Sequence, residues 1–463
     1  MGDKFISIIF VKKNVINVSE RLHCIARSEN TDELNCYGTT TSLPPPYIIT
    51  TSPNPRSLTS TTAAAAMSSS GQRRRRLKNT VTISSAEKVI GDDDLLRKIL
   101  IRLPAKPLIT FKLVSKSWCS LISDPFVLDN WIPPISASSF FLLRYFSPSS
   151  RIIKFNHIYH AGFVNKNKKL ESFKYVDDRV KISQSCKGLL LCSTCFSDLY
   201  PNSPRYYVVN PTTKEFTTIP RPTNGDDRYF IASINLAFDP AVSLRYKIVA
   251  VLSKQWPDHN CQIAVYSSET RIWMFSDASF ACSGKITFHN GVFFNDKIHW
   301  SCCHSQASIY YDLNRNQFSA LPMPICLSIV PMYFGEFGGR LRLMEFYRNP
   351  TSHFDVLELK SDYSEWFVKY RIDLKMGVLA FPEMRRAGWS TAFVFSVLCF
   401  LGGEVEGDSC LILYIPCKVI SYNFKDKSFR KICNLTLSRE DISNLRGCPW
   451  STIHPCMETM FHV

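Results

Sequence analysis

The stretch Val208-Val-Asn-Pro-Thr-Thr-Lys-Glu-Phe216 holds an apolar pair, a polar residue that opens a turn, and an aromatic six positions after that polar residue. The same arrangement returns in Ile309-Tyr-Tyr-Asp-Leu-Asn-Arg-Asn-Gln-Phe318, and in all the pairs are Asn210/Phe216, Ser267/Trp273, Asp312/Phe318, Lys360/Trp366 and Asn423/Phe429. Asn, Asp and Ser start turns because their side-chain oxygens accept from backbone amides two residues on, so each unit reads as a β-hairpin. Successive hairpins are 57, 45, 48 and 63 residues apart. Gly188, Gly291, Gly339 and Gly402 precede four of the polar positions by 22, 21, 21 and 21 residues. The Ser267 unit departs from this spacing: Leu236-Ala-Phe-Asp-Pro240 lies about thirty residues ahead of it. Four short strands per unit of roughly 40–50 residues is the arithmetic of a propeller blade. The 333 residues after position 130 hold about six such blades, or seven if they are short. Hairpins alone do not demand a ring, so a β-sandwich or stacked sheets is the alternative.

Upstream the periodicity changes. Asp92, Asp93 and Asp94 offer an N-cap and favourable charge at a helix start. Leu95, Leu96, Ile99, Leu100 and Leu103 then follow the three-and-four spacing of one apolar face, which Pro104 ends. Pro107 suits the first turn of a second helix carrying Leu108, Phe111, Val114, Trp118, Leu121 and Ile122, which Asp124-Pro125 closes. Some forty residues with so much apolar face cannot satisfy themselves alone. That face either packs on the rest of the chain or docks a partner.

Asp94-Leu-Leu-Arg-Lys-Ile-Leu-Ile-Arg-Leu-Pro104-Ala-Lys-Pro-Leu108-Ile-Thr-Phe111-Lys-Leu-Val-Ser-Lys-Ser-Trp118-Cys-Ser-Leu-Ile-Ser-Asp-Pro125 resembles the F-box of plant F-box proteins. It departs from the family pattern where Ile90-Gly91-Asp92-Asp93 replaces a Leu-Pro pair and where Pro107 replaces a Ser, both at helix starts that tolerate Asp and Pro. The resemblance implies docking on a Skp-family adaptor, and through it a cullin, in an SCF-type ubiquitin ligase. Leu95, Leu96, Ile99, Leu100, Pro104, Leu108, Phe111, Val114 and Trp118 occupy the family's apolar positions, divided between adaptor contact and the module's own core. Gly188-Leu-Leu-Leu191-Cys192, Val209-Asn-Pro-Thr-Thr-Lys214, Phe238-Asp-Pro240 and Tyr246-Lys-Ile-Val249 are more diffusely similar to the F-box-associated domain, some members of which relate to kelch propellers. The fold expected is an α+β multidomain chain: a small all-α F-box over 88–130, then an all-β domain over 140–463.

Residues 39–70 contain 15 Ser/Thr and 5 Pro, so residues 1–85 read as a disordered basic leader; Met67 is a plausible alternative start. The chain's formal charge is +16, of which residues 1–90 carry +6 with a run at Arg73–Arg76. No base-reading fold or stacking motif accompanies that run, which favours a solvated tail with nuclear entry over nucleic-acid binding. Residues 131–463 keep a net +9, which points to an acidic surface on the protein target. Seventeen cysteines at irregular spacing, mostly in apolar text, read as reduced and structural; Cys192-Ser-Thr-Cys195 lacks a second pair, since Cys302, Cys303 and His304 have the wrong spacing for zinc. No signal peptide, membrane segment, nucleophile elbow, phosphate loop or metalloprotease helix is legible, and His299-Trp300 reads as packed strand. The expectation is a non-enzymatic adaptor of nucleus or cytoplasm, or both, with no cofactor or metal. Its target would be met by loops such as Pro201–Arg205 and Lys254–Asn260. Rival readings are an F-box scaffold outside any ligase and a kelch-type oxidase.

Overall fold

A computed structural model of the chain describes residues 92–132, 137, 139–146, 153–159, 180–194, 204–223, 229–254, 260–281, 288, 291–301, 308–324, 331–345, 353–385, 394–402, 409–435 and 453–463. The expected leader at 1–85, Met67 and the Arg73–Arg76 run lie outside them, as do Cys195, Cys302, Cys303 and His304.

Among the described residues four short helices come first: α1 (Asp93–Leu100), α2 (Ala105–Lys112), α3 (Lys116–Ile122) and α4 (Pro125–Asn130). The Asp92 carboxylate accepts from the amides of Asp94 and Leu95, both at 3.1 Å, which is the N-cap the acidic run promised. The second helix expected from the sequence is two. Ser115 takes an extended conformation at φ −160°, and its hydroxyl accepts from the Trp118 amide at 3.2 Å. A serine that can cap does so in preference to continuing a helix, so the apolar period runs on while the axis breaks. Asp124-Pro125 does not close the module either. Asp124 caps α4 through the Phe126 amide at 2.9 Å, and Pro125 takes the first helical position, where no amide is required.

The β region is a ring of six sheets. Chain order begins with β1 (Ser139–Phe146) and β2 (Ile153–Tyr159). Five antiparallel four-stranded blades follow. They are β3 (Val180–Cys186) to β6 (Glu215–Ile219) with β4 (Leu189–Thr194) and β5 (Tyr206–Asn210) between, and β7 (Tyr229–Ala237), β8 (Lys247–Lys254), β9 (Asn260–Ser267) and β10 (Trp273–Ala281). Next come β11 (Val292–Phe294), β12 (Lys297–Trp300), β13 (Ile309–Asp312) and β14 (Gln317–Ala320), then β15 (Pro331–Glu336), β16 (Leu341–Glu345), β17 (His353–Leu359) and β18 (Trp366–Asp373). A short helix α5 (Lys375–Ala380) leads to β19 (Ser396–Leu401), β20 (Cys410–Ile415), β21 (Lys418–Asn423) and β22 (Phe429–Asn434). The last strand, β23 (Ile453–Cys456), pairs antiparallel with β1, so the sixth blade is built from both ends of the domain. The innermost strands β23, β3, β7, β11, β15 and β19 each touch the next, and β19 returns to β23. The sheets therefore form a closed β-propeller of six blades, not a sandwich.

All five sequence hairpins join the third and fourth strands of a blade. Asn210 Oδ1 accepts from Thr212 at 2.8 Å, Asp312 Oδ1 from Asn314 and Arg315 at 3.0 Å, and Asn423 Oδ1 from Lys425 at 2.8 Å. The glycines are less uniform. Gly188 and Gly339 lie in the turns between first and second strands, whereas Gly291 precedes a first strand because β11 has only three residues. At Gly188 the φ of +97° and a Thr459 methyl 2.8 Å from where a Cβ would stand both exclude a side chain.

One buried charge pair stitches the fourth four-stranded blade to the fifth. The Arg342 guanidinium meets Glu358 at 3.3 Å and lies over the rings of Phe337, Phe400 and Tyr370 at 4.9, 5.5 and 5.6 Å. Its Nε and Nη1 have no hydrogen-bond acceptor, so ring faces take that place. Arg342→Ala removes the cation and its packing and leaves Glu358 with only the distant Arg340, at 3.9 Å. The expected loss is about 3–5 kcal/mol in urea unfolding, while Arg342→Met combined with Glu358→Met recovers most of it.

Candidate functional site

The helical module separates the nine residues singled out from the sequence. Leu96, Leu100 and Leu108 are buried, at 4%, 1% and 1% exposure, and belong to packing. Ile99, Phe111, Val114 and Trp118 are half-buried, with the Phe111 and Trp118 rings edge to face at 5.4 Å. Leu95, at 43% exposure, and Pro104 are open to solvent. Three further apolar side chains are exposed that the sequence did not single out: Leu113 (65%), Phe126 (53%) and Ile132. Leu113 falls just beyond the end of α2, off the expected face. Phe126 followed a dipeptide read as a stop, although Asp-Pro serves equally well as a cap and first position.

Residues 457–463 run from the innermost strand β23 to this module. Glu458 pairs with Lys106 of α2 at 2.5 Å, and Phe461 stands edge to face with Trp131 at 5.7 Å and with Phe238 at 5.7 Å. Buried Asn210 donates to the carbonyls of Thr459 and Phe461 at 3.1 and 2.7 Å. Trp131 in turn donates its indole N–H to the Leu103 carbonyl at 2.8 Å. Asn210 thus both starts the β5–β6 turn and anchors the segment on which the helices rest.

The propeller axis holds a channel of about 150 Å³, lined by the inner strands. Across it, from opposite blades, Lys187 meets Glu336 at 3.5 Å. Burial alone would depress the Lys187 ammonium, but Glu336 and Asp239 outweigh it and hold the pKa above its usual range. Gln184 joins three blades: its amide donates to the carbonyls of Leu236 and Gly291 at 3.3 and 3.1 Å and accepts from the Leu236 amide at 2.6 Å. Burial pushes the neighbouring Cys186 thiol up to about 12, far from a nucleophile. His299 is equally inert. The Val292 carbonyl can only accept, so Nδ1 carries the proton at 3.2 Å and Nε2 accepts from the Tyr363 hydroxyl at 2.9 Å. The channel is a stitched scaffold. Of the suggested target loops, residues 201–203 and 255–259 lie outside the described residues.

Family descriptions and sequence relatives agree with this architecture. A family description of the F-box domain matches residues 92–129, and one of the F-box associated beta propeller domain matches residues 143–330. An F-box protein of Arabidopsis thaliana, At5g07610, is 32% identical over 379 residues, covering 76% of this chain and 87% of its own. The Arabidopsis F-box/kelch-repeat protein At3g23880 is 26% identical over 297 residues, 59% of this chain and 77% of its own. Among solved structures, a Lactobacillus plantarum protein overlays 65% of this chain and 82% of its own at a TM-score of 0.38 and 10% identity. An F-box followed by a β-propeller defines a class of substrate-recognition proteins. The chain belongs to the F-box proteins with an F-box-associated propeller domain. Among the described residues no helix is long and apolar enough to cross a membrane.

Proposed function

We propose that this chain is the substrate-recognition subunit of an SCF-type ubiquitin ligase, acting in nucleus or cytoplasm and not itself catalytic. The F-box, bounded at about 88–130, binds a Skp-family adaptor and through it a cullin. The propeller, over about 140–463, binds a target protein. The mechanism is proximity: one interface holds the ligase and the other raises the target's effective concentration beside the ubiquitin-loaded enzyme. The observation that carries this reading is an F-box whose helical module leaves Leu95, Leu113 and Phe126 exposed while Leu96, Leu100 and Leu108 fill its core. Exposed large apolar side chains of this kind serve as anchors in a protein interface.

The burial pattern selects the test. Leu96→Asp or Leu100→Asp would unfold the module and say nothing about docking. Leu95→Asp and Leu113→Asp, at exposed positions, should leave the melting temperature within about 2 °C, a surface-substitution effect. They should also weaken co-purification with a Skp-family adaptor at least tenfold, as loss of an interface anchor requires. Wild-type protein that recovers no adaptor would overturn the ligase reading in favour of a scaffold outside SCF.

A further inference from the structure

We infer that the rim between the fourth and fifth four-stranded blades, built by α5 and β22, is a docking surface for an acidic segment carrying apolar side chains. The inference rests on the substrate-recognition reading above and assigns that role a place on the propeller.

Helix α5 is the only α-helix among the described residues after position 137, followed by a single 3-10 turn at Pro382–Met384. It is too short to stand alone, and its inner side is fixed. Gly377 packs where a Cβ would come within 3.0 Å of the Phe429 ring, and Val378 is buried. Its outer side is another matter: Met376 and Leu379 are 62% and 74% exposed, among the most exposed large apolar side chains described. Two such residues on one turn, held rigid by the blade beneath, make a low-entropy apolar contact, and the methionine adapts to varied partners.

The surroundings decide the partner's charge. Over 366–385 and 418–434 there are nine Lys/Arg and three Asp/Glu. All three acids are engaged at home: Asp373 with His353 at 3.3 Å, Glu383 with Lys418, and Asp426 with Arg430 at 3.6 Å. Lys375, Arg385, Lys425, Lys427 and Lys431 are exposed. The net +9 of the region after position 130 therefore has a local concentration beside the exposed helix. An apolar pair ringed by uncompensated cations suits a peptide of Asp/Glu interspersed with Leu or Phe, and disfavours a basic one. Of the other solvent-exposed apolar side chains, Phe367 and Val368 lie on β18 of the same fourth blade, whereas Phe230, Val242, Ile272 and Met274 sit on the second, where residues 229–281 balance four Lys/Arg with four Asp/Glu.

The test uses the full chain and three fluorescent sixteen-residue peptides: acidic with spaced Leu/Phe, the same with the acids replaced by Lys, and the same with the apolar residues replaced by Ser. Anisotropy should detect binding of the first, at least tenfold weaker binding of the other two, and weakening as salt rises from 50 to 300 mM. Met376→Ser with Leu379→Ser, and separately Lys425→Glu with Lys431→Glu, should each reduce binding at least fivefold. Val242→Ser should change nothing. Equal binding by wild type and both rim variants, equal binding of the basic peptide, or no binding of the acidic one overturns the assignment. Adaptor co-purification on the same samples separates the two readings. Adaptor retained with no rim effect sinks only the rim, and adaptor absent sinks the ligase role whatever the peptides do.

Discussion

Removing residues 453–463 is expected to abolish cooperative folding of the propeller. β23 is the innermost strand of the sixth blade, paired to β1 at Ser139–Cys456, Phe140–Pro455, Phe141–His454 and Leu142–Ile453. It also touches β3 on one side and β19 on the other, so its loss opens the ring at one point and exposes two blade faces. Ile453, Cys456, Met460 and Phe461 are all at least 94% buried. At about 1.5–3 kcal/mol for each large apolar side chain, their burial is worth roughly 5–10 kcal/mol, comparable with the whole stability of an ordinary domain. Asn210 would lose both carbonyl acceptors and leave a buried amide unsatisfied, at about 1–3 kcal/mol more. Removing only His462 and Val463 sacrifices one exposed pair, His462 with Glu215 at 2.9 Å, and should shift unfolding by less than about 0.5 kcal/mol. Calorimetry distinguishes the cases: a single sharp transition for the shorter truncation, none for the longer, and its return when peptide 453–463 is added in trans. A longer truncation that melts within a few degrees of the intact chain would show that five blades suffice.

That closure was the part of the fold least legible in the sequence. The hairpins were legible because Asn210, Asp312 and Asn423 each determine a turn locally, and five hairpins recur with an aromatic at a fixed offset. β23 offers only Ile453-His-Pro-Cys456, four residues containing a proline, and its partner Ser139 lies 317 positions away. Proline is tolerated there because an innermost strand pairs on one edge only, a fact about its place in the ring and not about its composition. The constant glycine offset located blades correctly yet marked different positions in different blades, since strand lengths vary between three and nine residues. On the helical module, periodicity found the apolar positions but not their fates. Leu95 and Leu96 are adjacent in the same pattern, and one is open while the other is core. The break at Ser115 and the restart at Asp124 carried caps that were visible in the sequence, but a continuous apolar period outweighed them.

Acidification is expected to unfold the propeller well before its surface carboxylates are all neutral, because buried histidines are locked in the uncharged form, two of them most strongly. His454 on β23 and His299 on β12 are buried, and both are depressed from 6.5 to about 3. Burial is the main cause for each. At His454 a hydrogen bond to the Ile182 carbonyl opposes it; at His299 bonds to Val292 and Lys297 oppose it, while the charge of Lys297 adds to it. The unfolded chain takes up these protons near pH 6.5 and the folded chain does not until about pH 3. Between those values the unfolded state binds more protons, so stability is complete above pH 6.5 and falls as pH drops towards 3. Each histidine contributes up to about 1.4 kcal/mol per pH unit, so the pair should cost about 2–3 kcal/mol between pH 6 and pH 5. Urea midpoints at pH 7.5, 6 and 5 read this slope. His299→Gln with His454→Gln should start lower at pH 7.5, having lost packing and the Tyr363 hydrogen bond, yet decline less steeply by that amount. An unchanged slope in the double variant would take the acid sensitivity away from these two and leave it to His157, which burial and then the Lys106 charge hold down at about 4. The histidine at 454 carries the sharper consequence: its Nε2 has no protein partner, so a proton placed there has no acceptor, and it lies in the strand that closes the ring. Acid should therefore open the propeller at the β23 seam first, with hydrogen exchange rising in β1 and β3 at pH values where β8 and β20 remain protected.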